Sequence, residues 1–275
     1  MIIPISEVIP EKNIIILSPH YDDVPLTFGG YLNKLVANQL ISTKNIRIIN
    51  IFSRSNYLSF DNEGNKDISL KRIQHVMGIR ILEDLSCLDD LIGHENYIYE
   101  IKAEPECLVR QKKLVSDGIF EFLPGDRDSF DKNDWLAYDR IKEYARDWLT
   151  LEDTAVLLPF GMKEHVDHII LREAVNDARN ELGREATSTV YFGEDLPYTG
   201  LAEKDDWNKV KAFFSGLTIM HINYCIDEQQ KINLVLKHYP TQIEDSYKEG
   251  VLKRAAQLKQ KYKTDTGVER MYKLG

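Results

Sequence analysis

Two short clusters of metal-binding residue types lie far apart in the chain, at positions 20–23 and 165–168. The first reads His-Tyr-Asp-Asp and the second reads His-Val-Asp-His. Two imidazoles and one carboxylate give a borderline-soft divalent cation three protein ligands and leave one position open for water, which is typical of catalytic zinc sites. A metal held in this way lowers the pKa of its bound water and polarises a carbonyl group. The clusters therefore favour metal-dependent hydrolysis of an amide.

Three residues of the clusters are the predicted metal ligands. His20 and Asp23, three positions apart in a turn, can face one ion, and His168 would come from the second cluster. We expect zinc, and the same ligand set also holds ferrous iron in oxygenases. That oxygenase alternative usually places its ligands on an antiparallel β scaffold, so the type of sheet discriminates between the two classes.

The other acidic and histidine side chains of the clusters are predicted to do the proton chemistry. Asp22 would be the general base that accepts a proton from the activated water. His165 would donate to the developing oxyanion or protonate the leaving amine. Asp167 is predicted to accept a hydrogen bond that fixes the tautomer of a histidine ring.

Each cluster is predicted to lie between a buried strand and a helix. Residues 13–17 and 155–158 are apolar runs of strand length, and apolar residues at three- and four-residue intervals follow both clusters. If the two strands are parallel in one sheet, both loops leave its carboxyl edge and can converge there. The sequence thus predicts an α/β fold, with a mostly parallel sheet flanked by helices and the metal site at the carboxyl edge.

A purely structural interpretation of each cluster is also open. Asp22 and Asp23 precede Pro25 and could only cap a helix, since aspartate is favoured at that position and proline in the first turn. His165 and His168 could likewise only begin the next helix. Two such clusters at equivalent junctions have no common structural explanation, so the shared metal site is the favoured hypothesis.

The clusters resemble the PIG-L (LmbE-like) family of metal-dependent N-deacetylases. The similar segments are Ser-Pro-His-Tyr-Asp-Asp at 18–23 with Phe-Gly-Gly at 28–30, and His-Val-Asp-His at 165–168. The resemblance implies a Rossmann-like fold, the same ligands, base and acid, and release of acetate from an N-acetylated sugar, glycoside or related small molecule. The chain departs from the commonest family pattern at Tyr21 (proline), Val24 (glutamate) and Lys163 (tyrosine in some members), and none of these is a predicted ligand.

Weaker similarities extend the resemblance to candidate substrate-binding residues. Arg80 begins Arg-Ile-Leu-Glu-Asp, which is similar to a helical stretch whose arginine lies near the substrate. Asp195 and Tyr198 belong to Gly-Glu-Asp-Leu-Pro-Tyr, which is similar to a segment of sugar-related members. His238 begins a polar segment that resembles the end of a late helix in the family.

Composition and charge exclude some classes of binding partner and indicate the cellular compartment. A formal charge of -9 and a pI near 5.4 argue against nucleic-acid and anionic-membrane surfaces. Cys87, Cys107 and Cys225 show no paired pattern, which predicts reduced thiols and a cytoplasmic protein. No apolar run reaches membrane-spanning length, so no membrane insertion is expected. A catalytically inactive sugar- or nucleotide-binding module is a further alternative, but the sequence has no Gly-x-Gly-x-x-Gly or Walker lysine motif.

The length of 275 residues is compatible with one α/β domain over 1–275, with inserted loops at about 104–134 and 199–216. The turn-rich stretch 124–131 is predicted to be a mobile loop near the pocket mouth. Patterning predicts further elements as follows: strands at 46–52, 189–192 and 217–222, and helices that begin near 70, 136 and 227. The oligomeric state stays open at this level.

Overall fold

The computed structural model describes residues 1–110, 127–243 and 245–275. In these ranges seven strands form one sheet: β1 (Asn13–Ser18), β2 (Asn45–Asn50), β3 (Tyr97–Ile101), β4 (Thr154–Pro159), β5 (Thr189–Gly193), β6 (Ile219–Ile226) and β7 (Gly267–Leu274). The α-helices in the same ranges are α1 (Ile5–Val8), α2 (Asp23–Ala37), α3 (Leu70–Ile92), α4 (Lys132–Leu149), α5 (Val166–Leu182), α6 (Lys204–Phe213), α7 (Glu228–His238) and α8 (Asp245–Tyr262).

The strand order is β3-β2-β1-β4-β5-β7-β6. Neighbours from β3 to β5 pair in parallel, and β7 is antiparallel to both β5 and β6. The order of the strands reverses between β1 and β4, and such a switch point leaves a crevice at the carboxyl ends of the two strands. The predicted α/β fold with a mostly parallel sheet is therefore confirmed, and it differs from the antiparallel scaffold that the oxygenase alternative predicts.

The central strands are buried on both faces. Along β1, Ile15 and Leu17 pack in a core with α4 and α5, whereas Ile14 and Ile16 pack in a core with α2 and α3. A fully buried isoleucine or leucine contributes about 1.5–3 kcal/mol relative to an exposed one. The unbroken apolar run of β1 therefore fixes the strand between two helical layers. This packing also fixes the position of the polar residues 20–23, which follow the strand at its carboxyl end.

Two features of the secondary structure are not evident from the hydropathy pattern of the sequence. Helix α3 continues through Gly78 to Ile92, because Gly78 lies on the exposed face and its cost of about 1 kcal/mol is small in a helix of 23 residues. Strand β7 was not predicted, because its charged residues interrupt the apolar pattern that is typical of a strand. The structure buries Glu269 against Lys231 and Tyr224, so tertiary pairing stabilises a strand that local hydropathy does not indicate.

The predicted loops are partly ordered elements. Residues 111–126, and with them the start of the stretch at 124–131, lie outside the described residues. After a short turn at Arg127–Ser129, Asp131 and Asp134 form a capping box at the start of α4. The region 199–216 contains α6. Within the ranges given above, none of the helices combines the length and apolarity needed to cross a bilayer.

Candidate functional site

The two predicted clusters lie at the carboxyl ends of β1 and β4, which are neighbours in the sheet. His20 follows β1 and α2 begins at Asp23, while His165 is the N-cap of α5. Because β1 and β4 are parallel, both loops leave the same edge. The rings of His20 and His165 have their centroids 4.7 Å apart, and those of His20 and His168 are 5.3 Å apart.

The three predicted ligands converge on one point. Asp23 Oδ2 lies 3.3 Å from His20 Nδ1 and 3.3 Å from His168 Nε2. One donor atom from each residue lies within 4.8 Å of the others. Donors that are bound tetrahedrally at about 2.0–2.1 Å from zinc are about 3.3–3.4 Å from one another. The observed spacing thus fits a single divalent cation between these atoms.

A carboxylate supports each of the two candidate histidine ligands from behind. Asp167 Oδ2 lies 2.9 Å from His20 Nε2, and Asp195 Oδ2 lies 3.1 Å from His168 Nδ1. Such pairs fix the orientation of a metal-binding imidazole and leave its other nitrogen for the ion. Asp167, which the sequence analysis predicts to fix a histidine tautomer, lies against the ring of His20. Asp195 is placed behind His168 and not among the pocket-lining residues, whereas the resemblance implied substrate binding.

A second set of three residues, His20, His165 and Asp167, also has ligand atoms within 4.8 Å of one another. Asp167 is less suited to a cation. Its Oδ1 lies 2.6 Å from Arg110 Nη2, and its Oδ2 accepts a hydrogen bond from the backbone N–H of Cys107 at 3.0 Å. These contacts already satisfy its charge, so the first set is the better candidate.

The capping interpretation applies to one cluster and not to the other. The Asp22 side chain makes no cap hydrogen bond, and Asp23 Oδ2 accepts the N–H of His20 at 2.8 Å. His165 does cap α5, because its Nδ1 accepts the N–H of Asp167 at 3.2 Å. A neutral ring with Nδ1 as acceptor carries its proton on Nε2. Burial and the nearby His20 lower the pKa of His165 well below its usual value, which favours this neutral donor form.

The predicted base Asp22 lines the pocket together with Arg80. Arg80 Nη2 lies 3.7 Å from Asp22 Oδ1, and Arg80 Nη1 contacts Ser55 Oγ at 2.9 Å and Glu106 Oε2 at 3.3 Å. The guanidinium lies 5.3 Å from the ring centroid of Tyr21. Tyr21, where proline is commonest in the family, thus packs against the predicted substrate-binding arginine.

The side chains around the imidazoles of the two clusters include more acidic groups than arginines. Five buried carboxyl groups surround the imidazoles in the described part of the chain, namely Asp22, Asp23, Glu106, Asp167 and Asp195, and the arginines that pair with them are Arg80 and Arg110. Burial opposes protonation of His20, but its contacts with Asp167 and Asp23 raise its pKa to about 9. Burial alone would raise the pKa of Asp23, but His168 and His20 lower it overall. A divalent cation would take the place of these protons.

The pocket has a volume of about 60 Å³. At roughly 10–15 Å³ for each water, it holds a few waters or an acetamido-sized group. Its lining includes the candidate site residues Asp22, His165, Tyr198 and Arg80, and Tyr57. It also includes three residues that sequence reasoning missed: Glu106, Gln242 and Tyr247. The predicted His238 is outside this lining. Its ring contacts Ser86 Oγ at 3.0 Å and Asp90 Oδ2 at 2.9 Å.

A buried carboxyl group supports the first cluster from α3. Asp84 accepts hydrogen bonds from the hydroxyl groups of Tyr99 and Tyr239, each at 2.5 Å, and the Tyr239 hydroxyl also lies 3.1 Å from the carbonyl oxygen of Tyr21. Burial raises the pKa of Asp84 to about 8, against the opposing effect of the two tyrosines.

This carboxyl group predicts a pH dependence of stability. The unfolded state loses the Asp84 proton near pH 4 and the folded state near pH 8, so the free energy of unfolding falls as pH rises through that window, by at most about 1.4 kcal/mol per pH unit. Asp84→Asn removes this contribution. Urea unfolding at pH 5, 6.5 and 8 should give a shallower pH slope for the variant than for the wild type. Parallel slopes would contradict the assignment.

No family model and no curated protein matches the sequence of the chain. Solved structures do match its fold. The zinc-inhibited form of teicoplanin deacetylase has 18% identity and a TM-score of 0.63 over 96% of this chain and 98% of that one. The A40926 pseudoaglycone deacetylase has 18% identity and a TM-score of 0.62 over 96% and 97%. The N,N'-diacetylchitobiose deacetylase from Pyrococcus horikoshii has 11% identity and a TM-score of 0.56 over 98% and 90%.

Identities this low establish likeness of fold and nothing finer. The matches nevertheless cover almost the whole of each chain, so the similarity is not confined to the parallel strands. The chain has the α/β fold of these deacetylase structures, which is the fold that its resemblance to the PIG-L (LmbE-like) family implies.

Proposed function

We propose that this chain is a metal-dependent N-deacetylase that removes the acetyl group from an N-acetylated amino sugar or a related N-acylated small molecule. The observation that carries the proposal is the convergence of His20 Nδ1, Asp23 Oδ2 and His168 Nε2 beside a pocket that Asp22 and His165 also line. The deacetylases that share the fold support it. Zinc is the favoured ion, because two imidazoles and one carboxylate that leave a position open for water are typical of catalytic zinc sites.

Asp22 is the proposed general base. A divalent cation at the three ligands would lower the pKa of a water molecule and polarise the amide carbonyl of the substrate. Asp22 is adjacent to the proposed ligand Asp23, and its side chain makes no cap hydrogen bond with α2, so its carboxylate can accept the proton of the attacking water. Burial and the neighbouring Asp23 raise the pKa of Asp22, whereas Arg80, whose Nη2 lies 3.7 Å from Asp22 Oδ1, favours the ionised form.

His165, which also lines the pocket, is the proposed hydrogen-bond donor to the oxyanion that develops on the substrate. Its Nδ1 is fixed by the N–H of Asp167, and its Nε2 therefore carries the proton. A neutral N–H aimed at the developing oxyanion stabilises the transition state without the desolvation cost of a charged ring. The proton that Asp22 accepts from water can move to the leaving amine when the carbon–nitrogen bond breaks, so that His165 stays neutral throughout.

The pocket favours an uncharged saccharide over a nucleotide sugar. Tyr57, Tyr198 and Tyr247 line its wall, and such rings pack against sugars while their hydroxyl groups form hydrogen bonds. Arg80 is the lining arginine in the described ranges, and its charge is shared by Glu106 and Asp22. Little of that charge is left for a phosphate. The small volume fits the acetamido group, with the rest of the sugar at the mouth.

An acetate-release assay tests the proposal. Protein loaded with Zn²⁺ or Fe²⁺ is incubated with N-acetylglucosamine, N,N'-diacetylchitobiose, an uncharged N-acetylglucosaminide and UDP-N-acetylglucosamine. We expect acetate and a new amine from at least one uncharged sugar, with a higher kcat/KM than for the nucleotide sugar, and no consumption of oxygen. Tight sugar binding by the metal-loaded protein without any acetate release would instead support the binding-module alternative.

A further inference from the structure

Asp167, the carboxylate behind His20, is itself held by a buried arginine. Asp167 is fully buried, and its Oδ2 faces His20 Nε2 at 2.9 Å. Its other oxygen, Oδ1, lies 2.6 Å from Arg110 Nη2. The carboxylate therefore has the candidate ligand on one side and a permanent positive charge on the other.

Arg110 is fixed in turn by contacts on its remaining edges. Its Nε donates to Asp134 Oδ1 at 2.9 Å and its Nη1 donates to the carbonyl of Pro105 at 2.7 Å. The guanidinium also lies 5.2 Å from the ring centroid of Phe52. Asp134 is in the first turn of α4 and accepts the N–H of Asp131 at 3.0 Å. A rigid chain of charged contacts thus runs from the start of α4 to His20.

We propose that Arg110 is a positioning residue of the metal centre. An imidazole has two nitrogens, and the partner of one decides where the other points. Arg110 holds the Asp167 carboxylate in one orientation, and Asp167 holds His20 so that Nδ1 faces Asp23. The planar fork of arginine can contact Asp167 and Asp134 at once, which a point charge such as lysine cannot do. The inference rests on the proposed role of His20 as a ligand.

Loss of Arg110 leaves Asp167 as a buried anion with one partner fewer. A buried ionised carboxylate without its partner is unfavourable, so Asp167 is expected to rotate or to admit water. Either change loosens the His20 ring. The consequence is a weaker metal site, and not only a less stable fold.

The experiment measures metal affinity in three proteins by competition with a chromophoric chelator: wild type, Arg110→Met and Arg270→Met. Arg270 is a matched control, because it is also buried and makes its hydrogen bonds with Asn223 and Tyr262 on β6 and α8, away from both clusters. We expect Zn²⁺ affinity to fall about 10- to 100-fold in Arg110→Met and to stay within twofold of wild type in Arg270→Met. The visible spectrum of the Co²⁺-loaded protein should change only in the Arg110 variant.

The outcomes separate this inference from the proposed function. If wild type binds no metal, the proposed function is wrong. If wild type binds Zn²⁺ and folded Arg110→Met binds it equally tightly with an unchanged Co²⁺ spectrum, the positioning role of Arg110 is wrong. Should Arg110→Met not fold by circular dichroism, Arg110→Lys replaces it. The lysine variant should lose at least fivefold in affinity, and full retention of affinity would overturn the inference.

Discussion

Replacing Asp22 by asparagine is expected to lower kcat by about 10²- to 10⁴-fold while the protein keeps its metal. Asparagine is as good an N-cap residue as aspartate, and it is nearly isosteric. If Asp22 only began α2, the substitution would therefore be almost silent. If Asp22 accepts the proton of the attacking water, the amide cannot replace it.

Steady-state kinetics of acetate release, together with metal content by mass spectrometry, measures both properties. Asp227→Asn is the control, because Asp227 is the N-cap of α7 and accepts the N–H of Gln230 at 2.8 Å. We expect the control to retain wild-type kcat. An Asp22→Asn protein that turns over at the wild-type rate would exclude Asp22 as the base.

Replacing His168 by alanine is expected to weaken metal binding by at least about 100-fold and to abolish acetate release, since one of three protein ligands is lost. His165→Ala provides the comparison from the same loop. It should bind metal as wild type does and should lose about 10²- to 10³-fold in kcat, which is typical for the removal of one oxyanion donor.

This pair of variants also separates the two possible ligand sets. His168 belongs to the set with Asp23, and His165 belongs to the set with Asp167. Equilibrium dialysis against Zn²⁺ gives the affinities. If His165→Ala loses the metal and His168→Ala retains it, the ion lies in the second set and the assigned roles of the two histidines are exchanged.

The sequence was most informative where function depends on a strand and the residues directly after it. The apolar runs of β1 and β4 predict two buried strands, and the structure makes these strands parallel neighbours, which brings His20 and His168 to one edge of the sheet. Once these positions converge, the residue types alone are enough to predict a metal site. This part of the site required no knowledge of side-chain rotamers.

Residues that reach the site through long-range packing were not predictable in the same way. Glu106 and Arg110 lie in an irregular segment without periodicity, and their role depends on contacts with Arg80 and Asp167 that only the folded chain creates. Asp195 was predicted to bind substrate, and the structure places its Oδ2 beside His168 Nδ1. The rotamer that decides whether a carboxylate faces the pocket or a histidine cannot be derived from the sequence.

His238, at the end of α7, was predicted to bind substrate but lies outside the pocket lining. The helix ends at this residue, and the chain then turns, so that Gln242 lines the pocket while His238 pairs with Asp90 on α3. A polar segment predicts that some of its residues are functional. It does not predict which of them face inward after a turn.

The most direct test of a shared metal site is anomalous diffraction from crystals of the Zn²⁺-loaded protein, recorded at the zinc absorption edge. The account predicts one strong peak about 2.0–2.2 Å from His20 Nδ1, a carboxylate oxygen of Asp23 and His168 Nε2. A peak beside His165 and Asp167 instead, or no peak near either cluster, would contradict it.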